Sequence, residues 1–181
     1  NVEIDEIENE IVQDSIYQNF IMEISSMDIN QIEKKYLYEA CECGVRNNRL
    51  AASAMLGCAA EYLLINLSNA YYKYLKNNGT SNEIENFQRK VINAKSADDR
   101  LDEFEKRVES NIRIFQEMGF ENPKLNFNFL DIIRKVRNQF RHLTGLEISE
   151  GDLKMFFGNY QHFIKLAHKL IDMLPQHKVG K

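Results

Sequence analysis

Arg137-Asn138-Gln139-Phe140-Arg141-His142 gathers two guanidiniums, two amides and an imidazole within six residues. These are groups for handling an anion and a proton. Imidazole changes its protonation near neutral pH, which makes His142 the candidate to take or give a proton. A guanidinium presents forked donors matched to phosphate oxygens, and Arg137 and Arg141 each supply one. An Arg and a His five residues apart are common in sequences, and an ideal helix points them roughly 140° apart. Spacing alone does not make a site.

The element that carries these groups decides which way each one points. Phe129, Ile133, Val136, Phe140 and Leu143 fall on one apolar stripe, which predicts a helix from about Asn126 to Leu143, after Pro123 and before Gly145. Arg134, Lys135, Asn138, Arg141 and His142 collect on the opposite side, within about 120° of arc. Arg137 lies at the edge of the apolar stripe. Most such polar faces simply meet solvent. Asn138 and His142 are four apart on one face, so the amide can orient the imidazole or bind phosphate.

Helices are expected almost throughout. Apolar residues make up 44% of the 181, Pro occurs only twice and Val is scarce. Ile4, Ile7, Ile11, Phe20 and Ile24 suggest an amphipathic N-terminal helix, linked at Ser25-Ser26 to a second from about Asn30 to Gly44. A third, from about Asn48 to Asn77, is apolar and rich in small residues. It ends at Asn77-Asn78-Gly79, residues that tolerate left-handed backbone. A short helix near Asn82 to Ala94 follows. Ser96 and Asp99 then open a helix closed by Gly119, its apolar stripe interrupted by Asn111. Ser149 to Asp152 start the last helix, whose Phe156, Tyr160, Phe163, Ala167, Leu170 and Leu174 face inward until Pro175. The expected fold is all-α: an irregular antiparallel bundle of about five to six helices.

No apolar run approaches the length of a membrane span and no leader segment stands at the start, so a soluble, cytoplasmic protein is expected. Cys41, Cys43 and Cys58 are too few and too poorly spaced for a zinc site or a disulfide framework and read as small packing residues. No metal site is expected, since the remaining histidines lack the Glu-x-x-His pattern of carboxylate-bridged bundles. His162 and His168 instead flank the last helix's apolar stripe. The net charge of −4 is unevenly spread: residues 1–33 carry nine acidic and no basic side chains, leaving the rest with a surplus of five positive charges. Residues 1–30 form an acidic arm before a basic body, 31–181. Such an arm is usually a solvated face, but it can also shield a basic site or dock on a partner.

Ala51-Ala52-Ser53-Ala54-Met55-Leu56-Gly57-Cys58-Ala59-Ala60-Glu61, followed later by Arg137-Asn138-x3-His142, resembles the HEPN superfamily over most of residues 31–174. Those proteins are helical bundles with an Ala-rich early helix bearing a polar residue and a late helix carrying Arg, a polar companion and His. The resemblance implies a metal-independent endoribonuclease, acting as a toxin or an antiviral defence effector, that needs no cofactor and binds RNA. It implies a homodimer through the motif helix, and an antitoxin or regulatory protein as a further partner. By the same resemblance the catalytic residues fall on Arg137, Asn138 and His142.

The chemistry implied is attack by the RNA's 2′-hydroxyl, leaving a 2′,3′-cyclic phosphate and a 5′-hydroxyl. His142 would move the proton and Arg137 would stabilise the phosphorane. Arg141, Arg134 and Lys135 would contact RNA. Glu61 would either support Arg137 as a buried ion pair or lie at a solvated edge. Because Arg137 and His142 diverge on an ideal helix, they converge only if the helix distorts near His142 or a partner subunit supplies one of them. Some HEPN toxins carry a Tyr two residues after the motif His that is modified in neutralisation; here that position is Thr144. The alternatives are a non-catalytic HEPN-like module that binds nucleotide, RNA or a protein, and an unrelated helical interaction protein.

Overall fold

The computed structural model describes residues 16–123, 127–141 and 147–179, with the side chains of 137–141 excepted. Within these residues the fold is all-α, with no strand. Eight α-helices are present among the described residues, more than the five to six expected, in part because the expected helix closed by Gly119 is split at Asn111.

Helix α1 (residues 16–26) is closed by Ser25 and Ser26, whose hydroxyls donate back to the carbonyls of Ile21 and Glu23. Its Tyr17, Phe20 and Ile24 are buried in the common core. Helix α2 (Gln31–Val45) starts where the Asn30 side chain accepts from the Ile32 amide. Asn47 then takes a left-handed φ of 55°, which Asn tolerates better than most residues, and Asn48 caps α3 (Arg49–Asn78).

Thirty residues long, α3 is the axis of the fold, packed against α2 and against the two later helices described below. Leu56, Ala59, Ala60, Leu63, Leu64, Leu67 and Tyr71 are fully buried along it. Among the described residues it is the one helix long and apolar enough to cross a membrane. Half of its most apolar window is buried inside the bundle, as in a core helix. The left-handed ending expected at Asn77-Asn78-Gly79 is not used. Gly79 has φ −89° and is needed for space, since a Cβ there would lie 2.9 Å from the Leu75 carbonyl oxygen. Asn77 and Asn78 instead donate to the carbonyls of Pro175 and His177, tying down the end of the last helix.

Helix α4 (Ser81–Phe87) has a reciprocal Thr80–Glu83 capping box and runs on as a π-helical turn, Gln88–Ile92. Helices α5 (Ala97–Ser110) and α6 (Ile112–Glu117) replace the single helix expected there. They part at Asn111, whose backbone N–H still donates to the Arg107 carbonyl while its side-chain amide donates to the Tyr71 hydroxyl at 2.6 Å. Gly119, at φ +101°, closes α6 as expected. A 3-10 turn (Phe127–Asp131) leads into α7 (Ile132–Arg141), and α8 (Glu150–Met173) begins with a Ser149–Asp152 capping box.

Burial leaves a mark on the titratable groups of this core. Desolvation pushes the Cys41 thiol up to about 12, and the Tyr71 hydroxyl also up to about 12 against the Asn111 hydrogen bond. Both groups hold their protons more tightly folded than unfolded. The stability they contribute is whole below about pH 9 and is lost as pH climbs toward 12. Urea midpoints are therefore expected to hold steady from neutrality to about pH 9 and then fall. A Cys41→Ala variant should fall less steeply just above pH 9, and an identical slope would show that Cys41 contributes nothing.

Candidate functional site

Helix α7 is seated on α3 by a close approach. Val136 lies against Gly57, where a Cβ would come within 3.3 Å of the valine side chain. The small residues of α3 serve this contact, as Ala- and Gly-rich surfaces let helix axes approach. Ile132 and Ile133 are buried beside Val136, and Phe129 packs on Tyr160 and stacks on Phe163 of α8. The expected apolar stripe holds for Phe129, Ile133 and Val136, while Phe140 and Leu143 lie outside the described side chains.

The polar face is more divided than its sequence suggests. Arg134 is surrounded by three carboxylates, those of Asp102, Asp131 and Glu105, the last at 3.0 Å. Burial works against its charge, but hydrogen bonds to Asp102 and Glu105 outweigh that and raise its pKa further. On Glu105 burial wins and pushes the carboxyl up, although Arg134 pulls it down. Arg134 thus joins α7 to α5, and its donors are directed at protein rather than at a free surface. Lys135, by contrast, is exposed, with its ammonium 5.2 Å above the Phe156 ring.

Arg137, Asn138 and Arg141 continue α7 as regular helix in their backbone, and their side chains lie outside the described residues, as does the whole of His142. Glu61 is half-buried one turn beyond Gly57 on the same side of α3. Cys58 beside it is exposed rather than buried; desolvation, then the Glu61 charge, raises its thiol.

One cluster escaped the sequence reading. Glu33, counted there with the acidic arm, is fully buried. Its Oε1 accepts from the Tyr160 hydroxyl at 2.7 Å, and Oε2 lies 2.8 Å from His168 Nε2. Burial first, then the Glu33 charge, pushes the Tyr160 hydroxyl well above its ordinary range, so it stays a donor. The signal was available: Glu33 falls on the same helix stripe as buried Leu37, Ala40, Cys41 and Gly44. His168 flanks the stripe of α8 as expected, and exposed His162 stands edge-on to Phe163. Among the described residues no group of three or more His, Cys, Asp or Glu side chains is arranged to hold a metal ion.

No family model, curated protein or solved structure matches this chain. Its function must be argued from its own residues.

Proposed function

We propose that this chain is a metal-independent endoribonuclease of the HEPN kind, working as a homodimer through α7 in the cytoplasm, as a toxin or defence effector. The observation that supports it most is the seating of α7 on the small-residue surface of α3 at Gly57 and Val136. That contact packs α7 on the Ala-rich helix α3, the pairing of helices on which the resemblance rests. Arg137 is the residue to stabilise the phosphorane, Asn138 to orient the imidazole, and His142 to move the proton. Of the auxiliary RNA contacts, Lys135 keeps its exposed charge and Arg141 follows farther along α7. Arg134, committed to three carboxylates, serves to hold α7 in place.

That commitment also favours a second reading, a non-catalytic module of the same kind with a narrower basic face for RNA, nucleotide or protein. Incubation of the purified protein with total RNA, with and without EDTA, separates the two. The catalytic reading expects fragments ending in 2′,3′-cyclic phosphate and 5′-hydroxyl, unaffected by EDTA. Salt-sensitive binding without any fragments would leave the binding module standing in its place.

A further inference from the structure

Tyr71, Asn82, Asn86, Arg107 and Asn111 meet around a cavity of about 310 Å³, between the C-terminal half of α3, α4 and the junction of α5 with α6. That volume is at the lower end of small-molecule pockets. None of the described residues that line it belongs to α7. Its charges are already committed. Arg107 donates to the Glu103 carboxylate at 2.6 Å and to the Asn86 side-chain oxygen at 2.6 Å. Glu83, which also lines the cavity, is taken up by the Thr80 cap. Nothing there calls for a phosphate or an ammonium group.

What is left over is neutral and directional. Asn86 gives its oxygen to Arg107 and keeps its N–H donors. Asn111 donates to the Tyr71 hydroxyl and keeps its oxygen as an acceptor. Tyr71 is fully buried, yet its hydroxyl only accepts that bond, and among the described residues no group takes its own proton. Burial holds the hydroxyl protonated, so the proton is there to give. A buried donor left unused is destabilising, which points to an acceptor inside the cavity. The groups are also fixed in place: the Tyr71 ring stacks on Tyr74 and Phe115, and Asn86 is held by Arg107. Asn111 touches Tyr71 on one side and stands one turn beyond Arg107 on the other. The order across the cavity is therefore donor, acceptor, donor.

We infer that this cavity binds a uracil base, Tyr71 and Asn86 donating to its two carbonyl oxygens and Asn111 accepting from its N3–H. Uracil presents acceptor, donor, acceptor along that edge. Cytosine presents donor, acceptor, acceptor, and adenine only a donor and an acceptor, so neither complements the three groups. Recognition of a base by its hydrogen-bonding edge suits a single nucleotide or an unpaired position in RNA. The base comes from a free nucleoside or from a strand, and its binding does not depend on the ribonuclease reading of α7.

Calorimetric titration of the full chain with uridine, cytidine and N3-methyluridine tests it. Uridine is expected to saturate one site, with the other two about tenfold weaker or worse, since one reorders the edge and the other blocks its donor. Tyr71→Phe removes only the hydroxyl from a ring the core still holds, and should weaken uridine about tenfold. Asn86→Ala, at an exposed position of α4 where the core is untouched, should do the same. No saturation by uridine, equal binding of cytidine or N3-methyluridine, or uridine binding that either variant leaves unchanged overturns the assignment. Oligouridine with 2′-O-methyl groups, which lacks the hydroxyl that cleavage would use, separates the two sources. Binding tighter than uridine and weakened by Tyr71→Phe upholds a base presented on a strand; binding no tighter upholds a free nucleoside. Cleavage of total RNA without uridine binding would leave the ribonuclease reading standing and sink this one.

Discussion

Mixing equal amounts of the Arg137→Ala and His142→Ala chains is expected to restore about a quarter of wild-type RNA cleavage, although each variant alone loses roughly a hundred- to ten-thousand-fold. Helix α7 is regular from Ile132 to Arg141. A side chain at 137 and one at 142 leave such a helix about 140° apart, so one phosphate cannot readily be shared between them within a chain. In a two-fold dimer over α7, Arg137 of one subunit can meet His142 of the other. When the variants are mixed and their subunits exchange, half the dimers are mixed. Each of those keeps one of its two sites intact, with both lesions in the other. A mixture as inactive as its components, with dimers present, would place both groups in one chain and require a bend beyond Arg141. Wild-type cleavage by His142→Ala alone would remove the catalytic assignment altogether.

The fold was legible because its signals are local. Caps at Asn30, Asn48, Ser96 and Ser149 mark helix starts by side-chain acceptors a few residues from the amides they satisfy. What stayed hidden depended on partners distant in sequence. Asn111 was visible as an interruption, but its cause is the Tyr71 hydroxyl forty residues earlier. Arg134 looked like one more cation on a polar face until Asp102 and Glu105, on another helix, claimed it. Period and composition say which face of a helix is polar, but not which charges that face keeps. The same limit applies to the acidic stretch: Glu33, the last of the nine carboxylates in residues 1–33, is a core residue.

Because Glu33 is buried, His168→Leu is expected to destabilise the protein by about 3–5 kcal/mol at neutral pH, read as a fall in the urea midpoint. The double variant Glu33→Leu/His168→Leu should be less damaged than His168→Leu alone. In the wild type both carboxylate oxygens of Glu33 are satisfied, one by Tyr160 and one by His168, with no exposure to water. Removing the imidazole leaves a buried carboxylate with a single donor, and the cost is the desolvation of a charge rather than the loss of one hydrogen bond. Removing the carboxylate as well exchanges that cost for an unsatisfied Tyr160 hydroxyl, about 1–3 kcal/mol, which Tyr160→Phe in the triple variant should recover. If His168→Leu unfolds at the wild-type urea concentration, the His168 contact contributes nothing to stability and the cluster is no latch. If it unfolds early and the double variant recovers, the cluster is a polar latch between α2 and α8. That latch fixes α8, the helix on which α1 packs through Tyr17, Phe20 and Glu23.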